Sequence, residues 1–129
     1  VFVANIQTSS SLRWELFDGV TKSTHDVGSI FTSFSAWIHI VCTVSGSTSK
    51  VYKDGSLKAS GNAAEPATLT RATHYIGKSH WGVDEYFDGT IAYLRFWHGE
   101  ALDASQVAGL YAERIDPTPA PTGTVAPTP

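Results

Sequence analysis

The chain has 129 residues and a formal charge of −3, with 16% charged residues, against about 25% in an average soluble domain. That length holds one domain and little more, and without a Lys/Arg cluster there is no electrostatic footprint for a phosphate backbone, so nucleic acid is not expected as a partner. The single Cys42 excludes an internal disulfide or a cysteine-cluster metal site, and no apolar run approaches the roughly 18 residues that cross a bilayer, so membrane insertion is not expected either.

Methionine is absent even at position 1, and the N-terminus has no basic signal-peptide head. The chain is therefore expected to be an excised or processed piece of a precursor. Val1 to Ile6 alternates like a strand. After the polar turn Thr8 to Ser11, alternation resumes from Leu12 to Phe17, with Leu12, Trp14 and Leu16 opposed to Arg13, Glu15 and Phe17. Asp18-Gly19 is a hairpin signal that tolerates positive φ. Ser29 to Ala36 reads as a loop entering a strand from Trp37 to Val44, in which Cys42 lines up with Ile38, Ile40 and Val44 as a small buried hydrophobe. Ser45 to Ser49 then turns the chain. Asp54-Gly55 joins Lys50–Lys53 to Ser56–Ala59 as a two-residue hairpin, its lysines forming a solvated face. Gly61 to Pro66 reads as loop, Thr68 to Arg71 as a short strand or edge, and Thr73 to Gly77 as another strand. Turn signals every 8–12 residues or so are the pattern of a sandwich.

The segment from Tyr86 to Tyr111 is the most informative. From Thr90 to Trp97, Ala92, Leu94 and Phe96 alternate with Ile91, Tyr93, Arg95 and Trp97, which predicts a strand with one face in the core. Gly99 ends it. Asp103 is then placed to cap a helix whose Gln106 reaches back as in a capping box, with Val107, Leu110 and Tyr111 on one side. A helix of about two turns does not hold itself together in water, so it must lean on a sheet.

Phe87-Asp88-Gly89-Thr90-Ile91 followed by Leu94–Trp97, then Ala101–Val107 with Leu110-Tyr111, resembles the closing strand and helix of laminin-G-like or pentraxin-like domains of the concanavalin-A-like lectin/glucanase superfamily. Upstream, Trp37–Val44, Val51–Leu57 and Tyr75-Ile76-Gly77 resemble that family's middle strands in the same order. The resemblance implies an all-β, two-sheet antiparallel jelly-roll sandwich with one short C-terminal helix, spanning residues 1–115. It also implies one or two opening strands that this sequence lacks. The edge beside Val1–Ile6 is thus expected to be completed by the preceding part of a precursor or by another protein chain.

The superfamily's glucanases carry closely spaced carboxylates on one strand, because acid and nucleophile must flank one bond about 5–5.5 Å apart in a retaining enzyme. No such triplet occurs here. Asp84 and Glu85 fall in a loop and Asp88 in an Asp-Gly turn, so no catalytic residue is expected. The histidines, His25, His39, His74, His80 and His98, have no zinc spacing. The resemblance implies that many relatives bind calcium with Asp and carbonyl oxygens; family members that follow the Gly-x-Ile-Asp pattern have an acidic residue directly after the Ile, where this chain has Ala92, and other ligands often come from strands that this sequence lacks. Calcium is accordingly not supported by the residues present, Asp84 or Asp88 contributing at most to an atypical site, and no cofactor is expected.

His80-Trp81-Gly82-Val83-Asp84-Glu85-Tyr86 is the loop where aromatic and acidic groups converge. Trp81 and Tyr86 can stack on a sugar ring while Asp84 and His80 bond to hydroxyls, which is the chemistry of a lectin site. Trp81 can equally plug the end of the sandwich. Tyr93 and Trp97 can extend an aromatic platform.

Residues 116–129 form a Thr/Pro-rich tail without apolar periodicity, expected to be an extended linker running along a neighbour. Thr118, Thr122, Thr124 and Thr128, beside prolines, look like O-glycosylation acceptors and point to the secretory route. Two functions follow for a non-catalytic extracellular module. It is a structural or adhesive building block of a larger cell-surface assembly, or a carbohydrate-binding module of a wall protein or polysaccharide-degrading enzyme.

Overall fold

The computed structural model describes residues 2–5, 10–33 and 35–115. Among them are the strands β1 (Phe2–Asn5), β2 (Leu12–Phe17), β3 (Lys22–Val27), β4 (Ile40–Ser45), β5 (Thr48–Lys53) and β6 (Ser56–Asn62), and the helix α1 (Ala104–Ala112). They build two antiparallel three-stranded sheets, β1-β2-β3 and β4-β5-β6. Each is a meander in which neighbours in sequence pair in space. A jelly roll, whose successive strands alternate between sheets, is not traced by the described strands. The Thr/Pro tail at 116–129 lies outside the described residues, as do Val1 and Ile6 at the ends of the first expected strand.

Alternation in β2 has the predicted consequence. Leu12, Trp14 and Leu16 are buried and pack with Val27, Ile30 and Val51, with Ile40, Cys42, Val44 and Ala59 closing the cluster from the second sheet. The opposite face carries charge: Arg13 donates from Nε and Nη2 to both carboxylate oxygens of its cross-strand partner Asp26 at 2.8 Å. That fork holds the Asp26 carboxyl below the usual range and the Arg13 guanidinium above it. Being exposed, the pair fixes register more than it adds stability.

Both hairpin signals are turns. Asp18 Oδ1 accepts from Val20 N–H and Thr21 N–H, each at 2.7 Å, which lowers the Asp18 pKa. Asp54 and Gly55 stand at φ of 49° and 78°, the geometry of a primed two-residue turn. Val51 pairs with Ala59 and Tyr52 with Leu57, so a bulge at Lys58 interrupts the β5–β6 ladder. The β4–β5 turn is tighter than expected: Gly46 and Ser47 make it alone, and Thr48 and Ser49 already belong to β5. β6 similarly runs on to Asn62, through residues read as loop. Lys53 is not a purely solvated lysine, since its Nζ donates to Thr32 Oγ1 at 3.0 Å.

Sheet β4-β5-β6 is covered on both faces. Val51 meets the first sheet, whereas Val41 and Tyr52 meet Leu102 and Val107 of the α1 region. Asp103 caps α1 as predicted, accepting from Gln106 N–H at 2.8 Å while Gln106 Oε1 accepts from Asp103 N–H at 2.8 Å. Val107 is fully buried, with Leu110 beside it.

Three expected strands are not formed. The described chain from residue 63 to 103 contains no strand, so Thr68–Arg71, Thr73–Gly77 and Thr90–Trp97 run as irregular chain. β4 is also shorter than Trp37–Val44 and begins at Ile40. Alternation selects the face that is apolar but does not supply a neighbour, and a strand exists only through its ladder. Leu94 and Phe96 are accordingly 69% and 81% exposed instead of buried with Ile40 and Cys42.

The sheets are joined by polar groups that hydropathy did not single out. His25 on β3 places Nε2 2.7 Å from Ser49 Oγ on β5 and 2.7 Å from Asn62 O on β6. Ser23 Oγ of the same strand accepts from Ala64 N–H at 2.9 Å. Gly61 permits this approach, because a Cβ there would meet the His25 ring inside contact distance, 2.8 Å from Nδ1. Moving the ring to make room would break both of its hydrogen bonds. Gly61→Ala is therefore expected to destabilise the fold by about 1–3 kcal/mol, and by much less in a His25→Ala background, as read by urea unfolding of the four-member cycle.

Burial pushes the Cys42 thiol from 9.0 up to about 12. The unfolded chain then releases this proton first, so the contribution is intact below pH 9 and is lost as pH rises from about 9 toward 12, at no more than about 1.4 kcal/mol per pH unit. Unfolding curves across that window should fall more steeply for the wild type than for Cys42→Val.

Candidate functional site

A loop from Lys78 to Tyr86 stands out of the irregular segment and is closed at its base by Phe87 N–H donating to Gly77 O at 2.8 Å. Gly77 makes this closure possible at φ 78°, a conformation that side chains disfavour. Inside the loop, Ser79 Oγ accepts from Trp81 N–H at 2.9 Å and Asp84 N–H donates to Trp81 O at 3.2 Å. These short-range bonds fold the loop on itself where no sheet supports it.

Aromatic contacts line up on one side. Lys78 Nζ lies 4.5 Å from the centroid of Tyr75, whose ring stacks on His80 at 6.3 Å, and His80 meets Trp81 edge-on at 6.4 Å. An open hollow of about 420 Å³ is lined by Lys78, Ser79, His80, Trp81, Gly82, Asp84, Glu85 and Tyr86. All four residues singled out in the sequence, His80, Trp81, Asp84 and Tyr86, thus border one hollow. Trp81 is 54% exposed. The carboxylates of Asp84 and Glu85 have no side-chain hydrogen bond or ion pair among the described residues.

Tyr93 and Trp97 do not extend this platform. Tyr93 lies 6.5 Å from the His39 ring with Arg95 stacked over it at 5.2 Å, and Trp97 borders a separate hollow of about 330 Å³ with Leu102, Gln106 and Leu110 along α1. The four threonines read as glycan acceptors, Thr118, Thr122, Thr124 and Thr128, lie outside the described residues. Among the described residues, no three His, Cys, Asp or Glu side chains come together as a metal site.

Sequence reasoning missed the His25–Ser49 pair, whose spacing resembles that of a nucleophile and its base. Ser49 is only 1% exposed, and the His25 ring nitrogen is shared with the Asn62 carbonyl. The pair is a clasp between sheets without room for a substrate. Its one sequence signal is the polar inward face Ser23-x-His25 followed by Val27, opposite a glycine.

None of the curated proteins matches this chain in sequence. A solved structure, residues 221–444 of an S-layer domain-containing protein from Clostridium thermocellum ATCC 27405, is similar with a TM-score of 0.54 at 24% identity, over 78% of this chain. The chain spans about half the length of that structure, 51% of it. A laminin G family model (Laminin_G_3), described as the concanavalin A-like lectin/glucanases superfamily, matches residues 2–108. Across two packed antiparallel sheets and a capped C-terminal helix, this chain therefore belongs to the concanavalin A-like lectin/glucanases superfamily.

Proposed function

We propose that this chain is a non-catalytic extracellular module that binds carbohydrate in the hollow of the 78–86 loop. The observation that carries this reading is the convergence of His80, Trp81, Asp84 and Tyr86 on the lining of one open hollow. A sugar ring offers an apolar face to an indole or phenol and a rim of hydroxyls to carboxylates and imidazole, and this lining supplies both. An indole that plugged the sandwich would be buried, whereas Trp81 is more than half exposed. Family membership and the S-layer domain named for the similar structure support a place at the cell surface. Trp81→Ala is expected to remove binding on a glycan array while leaving stability within about 0.5 kcal/mol, the range for exposed substitutions; an equal loss of stability would favour the plug.

A second reading, a structural or adhesive building block, is favoured by the segment Ile91–Trp97. Its backbone makes no backbone hydrogen bond among the described residues, and Ile91, Leu94 and Phe96 are exposed. A strand-like run with an open ladder and apolar side chains is the template used in strand addition, by another chain or by the rest of a precursor. In the isolated chain the amides of 91–97 should exchange with solvent far faster than those of β5, and should become protected on assembly. Hydrogen exchange that found them already as slow as β5 in the monomer would remove this reading.

A further inference from the structure

We infer that the 78–86 hollow selects amino sugars with a free ammonium group, of the glucosamine-polymer kind, over neutral N-acetylated and acidic sugars; this rests on the carbohydrate reading above. Charge around the hollow decides it. Asp84 and Glu85 are both lining residues, and neither carboxylate is neutralised by an ion pair among the described residues. The one ammonium of the lining, Lys78, sits over the Tyr75 ring 4.5 Å from its centroid and makes no ion pair with either of them. An anionic sugar would place its carboxylate or sulfate against two like charges, which disfavours it. A sugar ammonium meets the opposite situation: two carboxylates to accept its hydrogen bonds and the exposed Trp81 and Tyr86 to attract its charge.

The aromatic wall and the carboxylates have separable roles. Stacking on Trp81 is common to all pyranoses, so it supplies affinity with little discrimination between them. The carboxylates distinguish an ammonium from an acetamide, because removing that one charge from the ligand removes the Coulombic attraction and leaves the stacking intact. In an exposed hollow the attraction is screened by salt, so the preference must shrink as ionic strength rises.

The test uses the full chain, with a glucosamine hexamer, an N-acetylglucosamine hexamer and an oligogalacturonate of equal length as probes, followed by calorimetry and tryptophan fluorescence. The glucosamine hexamer is expected to bind about ten-fold more tightly than its acetylated counterpart at low salt, with no binding of oligogalacturonate. Asp84→Asn with Glu85→Gln should abolish that preference while leaving weak binding of both hexamers, and Trp81→Ala should abolish all binding. The two carboxylates make no side-chain bond, so the double variant is expected to fold; the salt dependence of the wild type tests the same point without any substitution. Equal or tighter binding of the acetylated hexamer or the oligogalacturonate, lost in Trp81→Ala, overturns the amino-sugar inference and leaves the carbohydrate site standing. Glucosamine binding that survives Trp81→Ala would be charge attraction outside the hollow and overturns the inference as well. Absence of binding to all three overturns it along with the sugar site.

Discussion

Strand β5 is the constraint on which the rest of the structure depends. It is the central strand of its sheet, and its consecutive residues Val51 and Tyr52 are both buried, one against the first sheet and the other against the α1 region. A strand covered on both faces loses the freedom to slip, since a one-residue shift would exchange the two packing sets. The β4–β5 and β5–β6 registers are therefore held from three directions: by the Gly46-Ser47 turn, by the Asp54-Gly55 turn and by the side chains of β5 itself. The helix follows from the same strand. Nine residues of helix are too few to stand alone, and Val107 finds its support on Tyr52 and Val41.

Joining the sheets takes more than the apolar cluster under β2, although Ala59 and Ala63 pack against that cluster where β3 meets β6. There the contact is also polar, through His25, Ser49, Asn62 O and the Ser23–Ala64 bond. Polar contacts are directional, so they define how far one sheet slides over the other in a way that interlocking aliphatic side chains do less sharply. Gly61 lets the imidazole reach the β6 backbone, which explains why a strand of ordinary length carries a glycine near its end.

What was legible in the sequence was local. Asp54-Gly55, Asp18-Gly19 and the Asp103/Gln106 box are decided by residues within a few positions of each other, and all three are in place. The inward set Leu12, Trp14 and Leu16 was legible because a paired strand on a core has no alternative face to bury. Thr90–Trp97 carried an equally clear alternation and is not a strand, since pairing is a property of two segments and the pattern of one does not reveal the other. Grouping of His80, Trp81, Asp84 and Tyr86 was legible for the same reason as the turns: they are near in sequence and the loop closes locally. Their electrostatic setting was not, because it depends on where the Lys78 ammonium comes to rest, and Tyr75 takes it.

Placing the proposed binding hollow on a part of the chain without strand ladders has a physical consequence. Residues 63–103 lack ladders, so the loop keeps its shape through a few bonds of its own: the Gly77–Phe87 closure, the Ser79–Trp81 bond and the stack of Tyr75, His80 and Trp81. Each is worth about 1 kcal/mol net, so the loop is held locally and its opening need not involve the sheets. A ligand that bridges the aromatic row and the Asp84/Glu85 arm would tie the two sides of the hollow together, and part of its binding energy would be spent on ordering them. The same holds for a strand laid beside Ile91–Trp97. Since Phe87 closes the loop and Ile91 follows only four positions later, ordering either element restricts the chain entering the other. A ligand in the hollow and a partner strand on 91–97, if both were bound, would in this way be linked through the short connection between them, each reducing the entropy the other must overcome.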